Sequence, residues 1–209
     1  MNRDVALAPA CIARAESGDI EAATRCFVSA FAADPLMKHF FGDEPRGRAA
    51  STETFFSLLM RARVALGAPT LVARDGGRVL GGAMGYATQR PEWPADLARE
   101  WSKLEGTSPD IAARFEAYER ISCIGEPAEP HYYLGVIGVA PELRGTGLGS
   151  SLLRAFCHLS AADPASTGVY LETGNPANVP FYARHGFQVR CEEAMGEGRL
   201  WCMFLPHHR

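Results

Sequence analysis

Apolar positions along the chain follow two alternating spacings. Ile20, Ala23, Phe27 and Phe31 recur every three or four residues and predict a helix over 17–31, with Ser17 or Asp19 as its cap. Asp34-Pro35 predicts its end, because the residue before a proline avoids the α region. Phe55, Leu58, Leu59, Ala62 and Leu66 predict a second helix over 46–66. Residues 70–74 and 78–87, around Asp75-Gly76-Gly77, read as a β-hairpin. Leu97, Trp101 and Leu104 mark a short amphipathic helix. Ser108-Pro109-Asp110 supplies an N-cap, an N1 proline and a first-turn acid for another that runs to about Arg120. Residues 131–139 form a strand run, ended by Ala140-Pro141. A helix over 148–162 follows, with Leu152, Leu153, Phe156 and Leu159 periodic. A strand over 168–173, a short helix over 179–185 closed by Gly186, and two strands over 187–192 and 200–205 around Gly196-Glu197-Gly198 complete the pattern.

A length of 209 residues suits one domain, or one domain with an insertion, and 47% hydrophobic content excludes global disorder. A net charge of −3 argues against a nucleic-acid binder. No run approaches the roughly 18 apolar residues of a membrane span, and residues 1–9 lack the apolar core of a secretion signal, so the cytoplasm is the expected compartment. Six cysteines at 11, 26, 123, 157, 191 and 202 are too scattered for a metal knuckle or redox pair and read as buried thiols. His207-His208 is too short for a tag or a metal site.

The segment joining 131–139 to 148–162 carries the chemistry: Val139-Ala-Pro-Glu-Leu-Arg144-Gly145-Thr146-Gly147-Leu148-Gly149-Ser150. Glycine takes positive φ and lets backbone come within hydrogen-bond distance of a ligand. N–H groups at the start of the next helix have no intrahelical partner, and with the helix dipole they make an anion site suited to a pyrophosphate. Arg144 would add a charge-assisted contact. A turn without a ligand accounts for the same residues. A dinucleotide-binding G-x-G-x-x-G loop fits Gly145 and Gly147 but fails at Ser150, and Pro141 and Glu142 separate strand from glycines. A Walker A loop is excluded, since no Gly-Lys-Ser/Thr follows.

Arg144-x-x-Gly147-x-Gly149 matches the R/Q-x-x-G-x-G/A signature of the GNAT N-acetyltransferase superfamily, and Val136-Ile-Gly-Val139-x-Pro141 resembles the strand that precedes it there. Asn175-Pro-Ala-Asn178-Val-Pro-Phe181-Tyr182-Ala-Arg-His-Gly186-Phe187 resembles the superfamily's N-x-x-A-x-x-F/L-Y-x-x-x-G-F segment, with Asn178 where alanine or arginine is commoner. Residues 129–203 are similar to the puromycin-type N-acetyltransferases of actinobacteria, and the rest of the chain is so more loosely. The resemblance implies an α/β (α+β) fold: a mixed, mostly antiparallel twisted sheet of about six or seven strands flanked by helices. It implies one domain over 1–209 with a helical insertion near 91–130. It further implies acetyl-CoA as donor, no metal, and a small-molecule amine, antibiotic-like in the puromycin-type relatives, as acceptor by direct attack in a ternary complex. Neither nucleic acid nor membrane is an expected partner, and the oligomeric state stays open.

Acetyl transfer to an amine needs an acceptor for the ammonium proton, a backbone N–H for the carbonyl oxygen and a proton for the leaving thiolate. The resemblance makes Tyr182 the acid, since a phenol with an ordinary pKa near 10 stays protonated; a core tyrosine is the plain alternative. The base is open between Glu172, His131 and a water. Strand alternation turns Glu172 toward the cofactor cleft and Leu171 and Thr173 away from it, and half-burial would raise its pKa toward neutrality. The main chain of Ile137, Gly138 and Val139 would hold the pantetheine arm. Arg144, Gly145, Thr146, Gly147, Leu148, Gly149 and Ser150 would hold the pyrophosphate, with Asn175, Asn178 and Phe181 also at the cofactor. The two asparagines serve equally as helix caps, and Arg184 is either a phosphate contact or an exposed helix residue. No cysteine falls in the motifs, so no acyl-enzyme is expected. Acetylation of proteins or peptides, or coenzyme A binding without catalysis, are the other functions open. Residues 91–130 carry nine acids against four bases, a net of −5, which is either a solvated helical face or a field that gathers a cationic amine.

Overall fold

Among residues 10–207, which the computed structural model describes, the chain runs β1 (Cys11–Arg14), α1 (Ile20–Ala30), α2 (Pro35–Phe41), α3 (Pro45–Ala65), β2 (Thr70–Asp75) and β3 (Arg78–Tyr86). It continues with α4 (Ala95–Glu105), α5 (Pro109–Gly125), β4 (Tyr132–Val139), α6 (Leu148–Ala162), β5 (Gly168–Thr173), α7 (Val179–Arg184), β6 (Gln188–Met195) and β7 (Gly198–Pro206). Residues 1–9, read for a leader, and His208 lie outside the described residues. All seven strands form one sheet in the order β1-β2-β3-β4-β5-β7-β6, antiparallel throughout except for the β4/β5 pair. This is the mixed sheet that the motif resemblance implies.

Two elements differ from the periodicity. The four-residue β1 is too short to show alternation. Asp34-Pro35 closes no helix but opens α2: Asp34 is extended and its carboxylate accepts the Leu36 N–H at 2.9 Å, with Pro35 in the first turn. An N-cap residue is itself non-helical, so the restriction before proline is met by a start as well as by a stop. Ser108 caps α5 as expected, accepting the Ile111 N–H at 3.2 Å, but the helix continues past Arg120 to Gly125. Of the cysteines, Cys26 and Cys202 are buried, while Cys11 and Cys123 are exposed, so the expectation of buried thiols holds only in part.

The central irregularity lies in β4. Its register against β3 runs Met84↔Val136 and then Gly85↔Leu134, leaving Gly135 as an extra, bulged residue. A bulge bends its strand and reverses the side-chain alternation beyond it. Tyr132 and Leu134 pack with α6, whereas Val136 packs with α1 and α3 on the opposite face. Pairing with β5 stops at Tyr133↔Tyr170, so from Leu134 to Val139 the β5-facing edge of β4 has no strand partner among the described residues.

Helices α6 and α7 cover one face through Leu152, Leu153, Phe156 and Tyr182. The other face carries α1 to α5. Phe40 stacks on Phe115 at 4.4 Å, and Phe41, Phe55 and Trp101 ring that pair. Arg61 forks onto Glu100 at 2.7 and 2.8 Å and ties α3 to α4. Helix α5 lies close on β5 and β7: the Tyr170 hydroxyl donates to Ser122 O at 2.8 Å, and Gly125 meets Cys202.

A Cβ at Gly125 would lie 2.2 Å from Cys202 Cβ. Helix propensity alone would favour Gly125→Ala by about 1 kcal/mol. Overpacking, at about 1–3 kcal/mol, opposes it and is expected to win. Urea unfolding should show Gly125→Ala destabilised. Gly18→Ala, where a Cβ meets nothing within 4 Å, should be neutral or slightly stabilising.

Candidate active site

The loop after β4 takes the form that its glycines require. Gly145 and Gly147 have φ of +80° and +91°, and a Cβ at either meets no atom within 4 Å. Gly147 is the N-cap of α6 and has no side-chain cap. The Ser151 N–H bonds back to Gly147 O at 3.0 Å, so the N–H groups ahead of it in the first turn precede the intrahelical ladder. Residues Arg144, Gly145, Thr146 and Gly147 are exposed, and Leu148, Gly149 and Ser150 are half-buried behind them. Thr146 turns inward on the loop, its hydroxyl donating to Leu143 O at 2.7 Å. Arg144 does not lie over the glycines: its Nη2 donates to Ala30 O at 2.7 Å, capping the carbonyl end of α1. Ile137, Gly138 and Val139 lie on the part of β4 that β5 has left, beside this turn.

Helix α7 brings Tyr182 and Phe181 to the same end of the sheet. Phe181 lies 4.0 Å from the Cβ position of Gly149, and its ring contacts Tyr182. Tyr182 is 5% exposed, and its hydroxyl has no hydrogen-bond partner among the described residues. Burial, with the Asp34 carboxylate adding to it, pushes its pKa well above the ordinary phenol value. Asn175 and Asn178 make local contacts: Asn175 accepts the Ala177 N–H at 3.0 Å, and Asn178 Nδ2 donates to Thr173 Oγ1 at 3.3 Å. Arg184 is exposed.

Glu172 faces the side opposite α6 and α7, with Leu171 turned the other way as the alternation predicts. Tyr170 and Glu172 share the α5 face of β5, while Leu171 packs with α6. Ser122 donates to Glu172 Oε1, and the Tyr118 hydroxyl donates to Oε2 at 3.1 Å. Tyr118 in turn lies 3.3 Å from the Tyr133 hydroxyl. Desolvation raises the Glu172 pKa against these bonds and against the nearby Arg90 charge. The Arg90 guanidinium sits 4.4 Å over the Tyr133 ring and pairs with Glu126 at 2.6 Å. His131 is held at both ring nitrogens, Nδ1 at 2.8 Å from Glu129 O and Nε2 at 3.2 Å from Glu126. It therefore has no free nitrogen directed at Glu172 or Tyr182.

Tyr118, Ser122 and Tyr133 also line a cavity of about 550 Å³ between α3, α4, α5 and β4. Phe31, Phe55, Trp93, Trp101 and Phe115 supply aromatic lining, Gly135 of the bulge reaches the lining, and Glu119 contributes an exposed carboxylate. The acidic surplus of 91–130 is partly spent on internal pairs: Glu100 with Arg61, and Glu126 with Arg90 and His131. Tyr118 and Ser122 escaped the sequence reading, although both fall on the apolar stripe of α5 with Ile111 and Phe115, where a polar residue is itself a signal. Among the described residues no group of three or more His, Cys, Asp or Glu side chains could hold a metal ion, and no helix is long and apolar enough to cross a membrane.

A model of the acetyltransferase (GNAT) family matches residues 33–187, and the chain belongs to this family. Solved structures share the fold. A Corynebacterium glutamicum protein described as histone acetyltransferase HPA2 and related acetyltransferase is 23% identical, with 97% of this chain and 98% of that one covered and a TM-score of 0.70. The arylalkylamine N-acetyltransferase like 5b of a mosquito is 14% identical over 95% of this chain and 100% of its own, with a TM-score of 0.66. The polyamine N-acetyltransferase of Drosophila melanogaster, which forms N-acetylagmatine, is 19% identical over the same shares, with a TM-score of 0.60.

The Glu172 environment makes a stability prediction. Its folded pKa lies above its unfolded one, so the fold holds a proton that the unfolded chain has released. Its stabilising contribution is complete below the ordinary carboxylate value of about 4.3 and is lost as pH rises through the folded pKa. Glu172→Gln stays neutral and escapes that loss. The Tm of the variant minus that of the wild type is expected to climb as pH is raised from about 4 toward neutrality. A difference flat with pH would mean an ordinary carboxyl.

Proposed function

We propose that this GNAT-family chain is an acetyl-CoA-dependent N-acetyltransferase acting on the amine of a small molecule by direct attack. The observation that carries the reading is the parted β4/β5 edge, with an open glycine turn at one end and an aromatic, partly closed cavity on the other face. A cavity walled by α4 and α5 suits a small acceptor better than a peptide laid in an open groove. The similarity to enzymes of arylalkylamines and polyamines, and the puromycin-type likeness of 129–203, support the same acceptor class. A protein binding coenzyme A without catalysis would have no use for the unpartnered Tyr182 hydroxyl.

The donor, when bound, supplies a thioester-activated acetyl group. The empty space above Gly145 and Gly147 fits its pyrophosphate, with the first-turn N–H groups of α6 as donors. Arg144 would reach it by leaving Ala30 O. Ile137, Gly138 and Val139 offer main-chain groups to the pantetheine arm, and Phe181 closes the far side. Asn175 and Asn178 would shape the β5–α7 turn beside it. Glu172 takes up the proton of the arriving ammonium through Tyr118, which yields its own proton to Oε2 as it accepts one. Tyr182 Oη gives its proton to the departing sulfur. The nitrogen releases a second proton as the amide forms, so the balance is one proton lost to solvent per turnover.

Incubation with acetyl-CoA and a panel of small amines and peptides, read by thiol release, tests the reading; turnover of peptides but of no small amine would overturn it. Tyr182→Phe should lower kcat at least ten-fold, within the roughly 10²–10⁴ of acid–base groups, and leave the acetyl-CoA Kd little changed. Gly147→Val should abolish the rise in Tm that acetyl-CoA gives the parent, because a branched side chain is strained at φ +91° and enters the cradle.

A further inference from the structure

The cavity contains a charge that the proposed transfer does not use. Arg63, near the C-terminus of α3, is 4% exposed and lines the cavity. Its guanidinium carries five N–H donors. Nη1 donates to Leu59 O at 3.3 Å, and Nε is enclosed with no partner. No carboxylate among the described residues pairs with it. The Tyr86 ring, with its centroid 4.7 Å away, offers only its π-face, and the Tyr86 hydroxyl already accepts from Trp93 Nε1 at 2.6 Å. The cavity's other arginine, Arg90, is balanced by Glu126. A guanidinium kept out of water without an anion is costly, and its pKa is held below the usual range by that desolvation.

Position adds a second constraint. Phe56, Leu59 and Arg63 follow one another on the buried stripe of α3, so Arg63 occupies a site at which an apolar residue would pack without cost. Its Nη2 lies 3.4 Å from the Cβ position of the bulged Gly135, which places the guanidinium at the point where β4 leaves β5. Tyr133 neighbours Arg63 at Gly135 and feels the charges of both Glu172 and Arg63. An acceptor whose nitrogen is served by Tyr118 and Glu172 therefore has a cation within the same small chamber.

From this geometry we infer that the acceptor is an amine that also bears a carboxylate, with the carboxylate paired to Arg63 and an apolar, ring-sized group against Phe55, Trp101 and Phe115: an apolar amino acid or a close relative. The inference rests on the acyl-transfer reading and narrows its substrate class. Guanidinium forks match carboxylates in two parallel hydrogen bonds, and a buried pair of this kind discriminates strongly against a partner that lacks the anion.

The test compares each of phenylalanine, tyrosine, tryptophan and leucine with its decarboxylated amine, with acetyl-CoA and thiol release as readout. The amino acids are expected to exceed the amines in kcat/KM by at least ten-fold. That ratio should fall by at least ten-fold in Arg63→Met and by less in Arg63→Lys. Amines turned over as well as or better than their amino acids would overturn the inference and leave the proposed function standing. Turnover of neither set would count against the proposed function, and ligand binding to the unaltered protein then decides the Arg63 site by itself. 3-Phenylpropionate should raise the Tm and 3-phenylpropionamide should not, a contrast independent of any variant's folding. Equal shifts from acid and amide would show that the guanidinium selects no anion.

Discussion

One residue too many in β4 sets the plan of the molecule. The bulge at Gly135 turns the strand away from β5 after a single short stretch of parallel pairing, and it exchanges the faces to which the following side chains point. Backbone polar groups that a regular sheet would consume are left along the parted edge, next to a turn whose glycines hold open space. The same bend makes room on the other face for the chamber under α3, α4 and α5. Without it β4 would pair fully with β5, and neither the parted edge nor the chamber beside it would exist.

The chamber then acts on the groups that it encloses. Burial there depresses the guanidinium of Arg63, and burial behind Tyr118 and Ser122 raises the carboxyl of Glu172, for one and the same reason: the charged form of each loses hydration. Hydrogen bonds from Ser122 and Tyr118 oppose the shift at Glu172, yet burial outweighs them. Across the sheet burial shifts Tyr182 in the same direction as Glu172, and the neighbouring Asp34 carboxylate adds to it. Glu172 and Tyr182, the base and acid of the proposed transfer, thus lie on opposite faces of the sheet.

Much of this architecture could be read from the residues in order. The glycine turn and the Phe181-Tyr182 segment are local, since their signal lies in contiguous residues whose backbone needs are fixed by type. Alternation correctly set Glu172 and Leu171 on opposite faces but assigns relative faces only; that α5 covers the Glu172 face depends on contacts with Tyr118 and Ser122, 54 and 50 residues away in sequence and not visible in the local pattern. Gly135 inside an otherwise apolar strand was a legible sign of a bulge. Arg63 and Ser122 were legible too, as polar residues on apolar helical stripes, but their meaning required knowing what faced them. Asp34-Pro35 fits a helix start as well as a stop, and only the cap hydrogen bond at 2.9 Å distinguishes the two.

The two ends of the parted strand draw on different parts of the chain. The glycine cradle and Tyr182 are built from residues of the β4–α7 stretch, where backbone conformation leaves little choice of amino acid. The chamber wall is built from side chains of α3, α4 and α5, held together by ring contacts and by the Arg61–Glu100 fork. Side chains on those helices can be exchanged without disturbing a single hydrogen bond of the cradle. On the proposed function, exchanging wall residues such as Phe55 or Trp101 changes which acceptor fits while the glycine cradle, Tyr182 and the Tyr118–Glu172 contact stay as they are, so that the fold separates the choice of acceptor from the transfer itself.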